Sequence, residues 1–199
     1  MAKVRLRPGA MLAPLPTALV TCTDGERDNI LTVSWTGILS TVPPRTYIAV
    51  RPRRFSHGLL LRGGDFVVHP CPASLVRAMD FCGMYTGAKV DKFERCHLTR
   101  VPSEVVAAPT IEECPVALEC RVTEVRQMGS HDVFFADILS VSADETLFDE
   151  RGALHFERAE FCSLCHGAYY APGRRLGSFG FSAAGSRKKP RRRSRDGTK

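Results

Sequence analysis

The chain has 199 residues, 44% of them apolar and 25% charged, enough for one globular domain whose core needs no disulfide or metal. No apolar run approaches the roughly 18 residues that span a bilayer, and Met1–Leu12 lacks the apolar stretch of a signal peptide, so the expectation is a cytoplasmic protein. The net charge of +7 sits at one end: eight Lys or Arg against Asp196 fall between Arg187 and Lys199, which leaves residues 1–186 neutral.

That division predicts one domain over 1–186 and a disordered basic tail over 187–199. Such a tail could touch nucleic acid or acidic lipid. The preferred reading is a solvated extension with no dedicated partner, and no specific nucleic-acid binding.

In chain order, the β-branched run Thr17–Cys22 reads as a strand that ends at Asp24-Gly25, and Asn29–Trp35 as its hairpin partner. Pro43-Pro44 interrupts the chain, and Tyr47–Val50 resumes as a third strand. Phe66–His69 reads as a fourth. After Pro72, Ala73–Phe81 approaches helical spacing, with Ser74 as a candidate cap. Beyond the proline-bounded segment Val101–Pro115 come two longer strands, Val116–Val125 and Val133–Val141, joined through Met128-Gly129-Ser130. Short antiparallel strands with few helices argue for a closed or nearly closed barrel. Neither a dinucleotide-binding G-x-G-x-x-G after a strand nor a Walker loop occurs.

Cys22, Cys71, Cys82, Cys96, Cys114, Cys120, Cys162 and Cys165 are scattered among apolar residues, as expected of reduced thiols used as small core hydrophobes. Cys162-Ser-Leu-Cys165-His166 has the form that attaches c-type haem. With His155 it offers part of a zinc site. Ordinary thiols are the preferred reading, and no metal is expected.

Clusters spread from Met11 to Ser182 carry a resemblance. They begin with Met11-Leu12-Ala13-Pro14-Leu15-Pro16, Asn29-Ile30-Leu31-Thr32-Val33-Ser34-Trp35-Thr36-Gly37 and Pro43-Pro44. Arg51-Pro52-Arg53-Arg54-Phe55-Ser56-His57 follows, then Asp80-Phe81-Cys82-Gly83 with Thr86-Gly87, and Asp91-Lys92-Phe93. Ala108-Pro109, Glu113 to Cys120, Gly129-Ser130-His131-Asp132, His166 to Tyr170 and Leu176 to Ser182 complete the order. Together they resemble the flavin reductase-like family, and within it the flavoredoxin-like branch. Three departures stand out. His69 occupies a position where the family commonly has Asn, Ala171-Pro172-Gly173 replaces a usual Leu-Gly, and the tail beyond Arg187 has no counterpart.

The resemblance implies a single-domain, mainly β fold with short helices, the FMN-binding split β-barrel, a Greek-key antiparallel barrel. It implies FMN near the interface of a homodimer, NAD(P)H as electron donor, and as acceptor a free flavin, a ferric chelate or a redox protein. A ribityl phosphate needs cations and short hydroxyls, which Arg51, Arg53, Arg54 and Ser56 offer within six positions. Strand alternation would put Arg51 and Arg53 on one face, so Arg54 with Ser56, at a helix N-terminus, is the preferred pair. A solvated basic turn is the alternative.

Asn29, Thr32, Val33, Ser34 and Trp35 resemble the segment along the flavin ring, although Thr and Ser also simply form strands. Trp35 would cover the ring or, preferentially, pack in the barrel. Cys82, Gly83, Thr86, Gly87 and Lys92 resemble a second segment near phosphate or ring, with a surface Asp91–Lys92 pair as the alternative. His131 stands where a catalytic hydrogen bond or proton could be given to flavin or nicotinamide. It could equally cap its hairpin. The expected protein is an FMN-dependent oxidoreductase. Its rivals are an FMN electron carrier inert to NAD(P)H and a flavin-free protein acting through its tail.

Overall fold

The computed structural model describes residues 1–183; the expected boundary at 186 and the basic tail lie outside the described residues. Twelve strands form in chain order among the described residues. They are β1 (Leu15–Pro16), β2 (Ala18–Thr23), β3 (Asp28–Val33), β4 (Thr36–Thr41), β5 (Pro44–Val50), β6 (Asp65–Pro70), β7 (Arg100–Val101), β8 (Thr110–Ile111), β9 (Val116–Gln127), β10 (Asp132–Ala143), β11 (Ser163–Cys165) and β12 (Ala168–Tyr170). The helices are α1 (Phe55–Gly63), α2 (Val76–Met84) and α3 (Lys92–Cys96).

Seven strands make one antiparallel sheet in the order β3-β2-β6-β9-β10-β5-β4. This is the antiparallel barrel that the spacing of the strands predicts. Each long hairpin turns where its sequence allows a left-handed residue: Gly25 has φ 92° between β2 and β3, and Gly129 has φ 76° between β9 and β10.

Alternation along β2 explains why the strand is buried throughout. Ala18, Val20 and Cys22 join Leu31, Val33, Ile48, Phe66, Phe134 and, from α1, Leu59 and Leu60 in the barrel interior. Leu19 points the other way, into a second core with Ile30, Met79, Cys82, Phe93 and Ile111, where α2 and α3 cover the outside of β2 and β3. Truncating Phe66 or Phe134 to Ala should cost about 3–5 kcal/mol. The outer layer matters for function, since it anchors the two helices whose ends border the site.

Three expectations change in detail. Ser74 is no cap: Ala73–Leu75 forms a 3₁₀ turn behind Pro72 with no side-chain cap, and α2 begins only at Val76. Pro43 lies in a hairpin turn and Pro44 opens β5, because Thr36–Thr41 is a strand in its own right that pairs with β5 across Val42-Pro43. Arg51 and Arg53 do not share a strand face, since β5 ends at Val50 and both lie in the turn that leads to α1.

Candidate functional site

Two adjoining clefts open where β3, the start of α1 and the end of α2 meet. The first, of about 300 Å³, is bordered by Asn29, Leu31 and Thr32 of β3, by Arg53 to Ser56, by Cys82 to Gly87, and by Lys92. The second, of about 270 Å³, is bordered by Leu31 to Trp35, Ala49 to Arg51, Arg54, Asp80, Gly83, Met84, His131 and Tyr169. Leu31, Thr32, Arg54, Gly83 and Met84 border both, so the two form one trough on the scale of a small-molecule site.

The first cleft is built around the C-terminal end of α2. The last carbonyls of a helix have no partner within it. Here two cations supply one: Arg54 Nη1 donates to Gly83 O at 2.7 Å, and Lys92 Nζ donates to Cys82 O at 2.7 Å and to Ile30 O at 2.6 Å. Arg54 is exposed, whereas Lys92 is only 4% exposed. Burial, reinforced by the positive charge of Arg54, lowers the Lys92 amine from 10.5 to about 8.

The alternative of a surface Asp91–Lys92 pair therefore falls. Asp91 caps α3 through Glu94 N at 3.2 Å and pairs with Arg100 at 2.7 Å. Across the cleft, Asn29 Nδ2 donates to the buried Ser56 hydroxyl at 2.6 Å, which joins β3 to α1. Gly87 must be glycine, because a Cβ there would overlap Asn29 Oδ1 and the Phe55 ring. Gly83 lies against Thr32, whose hydroxyl donates to Met79 O.

The second cleft ends in a flat aromatic wall. Trp35 is 44% exposed and stacks on His131 at a centroid distance of 5.9 Å and an interplanar angle of 16°. The preferred packing of Trp35 in the barrel is thus overturned: alternation from Leu31 and Val33 would point residue 35 inward, but β3 ends at Val33 and the alternation ends with it.

His131 Nε2 accepts from Arg51 Nε at 3.3 Å, and its Nδ1 bonds Ser130 Oγ at 2.9 Å. Burial and the charge of Arg51 both lower its pKa and favour the neutral ring. A buried His57–Asp132 contact of 2.7 Å, with His57 edge-on to Phe134, ties α1 to the strand that begins directly after His131. On the opposite rim Tyr169 donates to Asp80 Oδ1 at 3.0 Å. Burial and then that carboxylate raise the phenol to about 12.

All the residues singled out by sequence, from Asn29, Thr32, Val33, Ser34 and Trp35 through Arg51, Arg54, Ser56, Cys82, Gly83, Thr86, Gly87 and Lys92 to His131, border this trough. Sequence reasoning missed Tyr169 and Asp80 as parts of it, and it missed the His57–Asp132 contact between α1 and β10. Their partners are 89 and 75 residues apart, and no local pattern signals such pairs.

His69 turns out to serve the main chain: it is fully buried, bonds Leu19 O at 3.2 Å and accepts from Ile111 N at 3.1 Å. Cys162 is buried and donates to Cys71 O at 3.2 Å, while His166, with φ 52°, sits in the turn between β11 and β12. Among the described residues no group of three or more His, Cys, Asp or Glu is placed to hold a metal.

Comparison with known proteins agrees with this geometry. The model of the flavin reductase like domain matches residues 11–164. A protein of Archaeoglobus fulgidus is 33% identical over 146 residues, 73% of this chain and 82% of that one. Flavoredoxin of Desulfovibrio vulgaris (Miyazaki F) superposes with a TM-score of 0.83 at 29% identity, over 92% of this chain and 99% of that one. An FMN-binding protein from Thermus thermophilus with bound 1-cyclohex-2-enone superposes with a TM-score of 0.75 at 26% identity, over 89% and 99%. The fold is the split barrel of those flavin proteins, and the chain belongs to the flavin reductase-like family, on its flavoredoxin-like branch.

Proposed function

We propose that the chain is an FMN-binding oxidoreductase that takes reducing equivalents from NAD(P)H and passes them to an acceptor such as free flavin, a ferric chelate or a redox protein. One observation carries the reading: residues from five separated segments converge on a trough with cations at one end and a flat aromatic wall at the other. The donor set fits an FMN. Arg53, Arg54 and the Thr86 hydroxyl suit a phosphate monoester, and the N-terminus of α1 opens on the same cleft with no side-chain cap. Glycine at 83 and 87 keeps the wall thin where a ligand must lie close to backbone. When bound, FMN supplies the redox chemistry.

The protein's own part is to bind and orient. Lys92 and Arg54 hold the end of α2 against the trough, and Trp35 with neutral His131 offers a face for a flat ring. Without a dinucleotide-binding fingerprint, a nicotinamide would be held by stacking in the open trough. Weak affinity and modest discrimination between NADH and NADPH follow. A homodimer suits the apolar side chains left bare on β4 and β10, Ile38, Leu39, Leu139 and Val141. The cytoplasm remains the proposed compartment.

The likeness to flavoredoxin favours a second reading, an electron carrier inert to NAD(P)H. Anaerobic mixing separates the two. The purified protein should carry a flavin identified as FMN after release, and NADH or NADPH should bleach it. Bleaching by dithionite alone would replace the reductase with the carrier, and a protein that neither carries nor takes up FMN or FAD would sink both.

A further inference from the structure

Two thiols at the base of the first cleft are unusually close. Cys82 Sγ, on the last turn of α2, lies 4.0 Å from Cys96 Sγ, at the end of α3. Cys82 borders the cleft and is buried, whereas Cys96 is partly exposed. A second pair, Cys71 and Cys162, also interacts through its thiols, but both of its members are buried. The Cys162 thiol also donates to Cys71 O; Cys114 shares the outer core with them and with Cys82, and Cys22 and Cys120 lie in the barrel interior.

We propose that Cys82 and Cys96 form an oxidisable dithiol, a redox modification site in which hydrogen peroxide links α2 to α3 through a disulfide. The partly exposed thiol reacts first. Burial raises both thiols and makes the reaction slow; at Cys96 the contact with Cys82 and the charges of Lys92 and Arg95 offset part of that rise. Cys96 sulfur attacks one peroxide oxygen, so that an S–O bond forms, the O–O bond breaks and water leaves with the thiol proton. Cys82 sulfur then attacks Cys96 sulfur. The S–S bond forms, the S–O bond breaks, and the departing hydroxide takes the Cys82 proton as a second water. Two thiols lose two electrons in total, and one peroxide gains them.

The sulfurs need to close from 4.0 Å to about 2.05 Å. The crosslink would tie together the two elements that the Lys92–Cys82 hydrogen bond already joins. It would therefore fix the base of the cleft covalently. This inference concerns the thiols alone and stands whether or not the trough holds a flavin.

The test uses the full chain, reduced, freed of reductant and exposed to hydrogen peroxide, then alkylated and cleaved with trypsin. The expected product joins the peptide of residues 78–89 to that of residues 96–100, with a mass 2 Da below the sum of the two thiol peptides, and it vanishes on treatment with dithiothreitol. Cys96→Ser and Cys96→Ala should abolish it. Cys165→Ser, which alters the other partly exposed thiol, should leave it unchanged. Recovery of Cys82 and Cys96 as separately alkylated thiols after peroxide would overturn the proposal. So would their pairing with other cysteines, or sulfonic acid at Cys96 beside a free Cys82.

Discussion

At the scale of single residues, Arg54 has two tasks. It satisfies a carbonyl at the end of α2, and it is the cation shared by both clefts. Removing it should weaken FMN binding roughly 10- to 100-fold, the range of a charge-assisted hydrogen bond, as read by titration of the cofactor-free protein. Unchanged affinity would move the phosphate elsewhere, with Lys92 as the next candidate.

His131 presents a ring face, with both nitrogens engaged by Arg51 and Ser130. His131→Ala should therefore slow reduction of bound flavin by NADH more than it loosens the flavin. Equal losses would assign the residue to the hairpin alone. His69 makes a prediction about pH. Its ring is buried and its pKa is lowered to about 4, mainly by burial, against an unfolded value of 6.5. Between those values the unfolded chain binds the extra proton and the native one does not. The stability is therefore present above pH 6.5 and is lost as the pH falls toward 4. His69→Gln should show a smaller drop in thermal midpoint across that window than the parent protein.

At the scale of elements, the site depends on close approaches between segments that never pair as secondary structure. The loop between α2 and α3 touches β3 at Gly87, where only a hydrogen fits between Asn29 and Phe55. Gly87→Ala must displace either the loop or the Asn29–Ser56 bond. It should cost about 1–3 kcal/mol of stability, the range for overpacking a fitted contact. It should also lower flavin content, measured as the absorbance ratio of flavin to protein. A variant with full flavin content would show that the loop moves away without disturbing the cleft.

The same element-level view explains why β4 escaped the sequence. Thr36–Thr41 sits at the edge of the sheet with Ile38 and Leu39 largely exposed and a bulge between Ile38 and Ser40, so it lacks the buried alternation that marks a strand. It forms because β5 supplies a partner. Helix α3 is likewise too short to declare itself, and it is fixed by the buried Lys92 and Phe93 at its start.

At the scale of the whole molecule, an edge strand with bare apolar side chains invites a partner. Ile38 is 63% exposed on β4, and a charge there should be tolerated by the fold but not by a subunit interface. Ile38→Glu should shift the protein from dimer to monomer in sedimentation equilibrium with little change in the far-UV spectrum. A parent protein that is already a monomer would remove the homodimer from the proposed function.

The strands β2, β3, β5, β6, β9 and β10 and the hairpin turns at Gly25 and Gly129 could be read from the sequence, and the resemblance to the flavin reductase-like family pointed to most residues that border the trough. Local chemistry dictates the strands and turns, because β-branched runs extend and glycines reverse the chain. Only the tertiary structure decided which way those residues face and what else they do. Trp35 leaves the core because the strand stops two residues before it. Lys92 becomes a buried cation because two orphan carbonyls, from β3 and α2, converge on it. His57 finds Asp132, and Tyr169 finds Asp80, across 75 and 89 residues of chain. Contacts of that kind carry no local signal, because their energy exists only once the barrel has closed and brought both partners out of water.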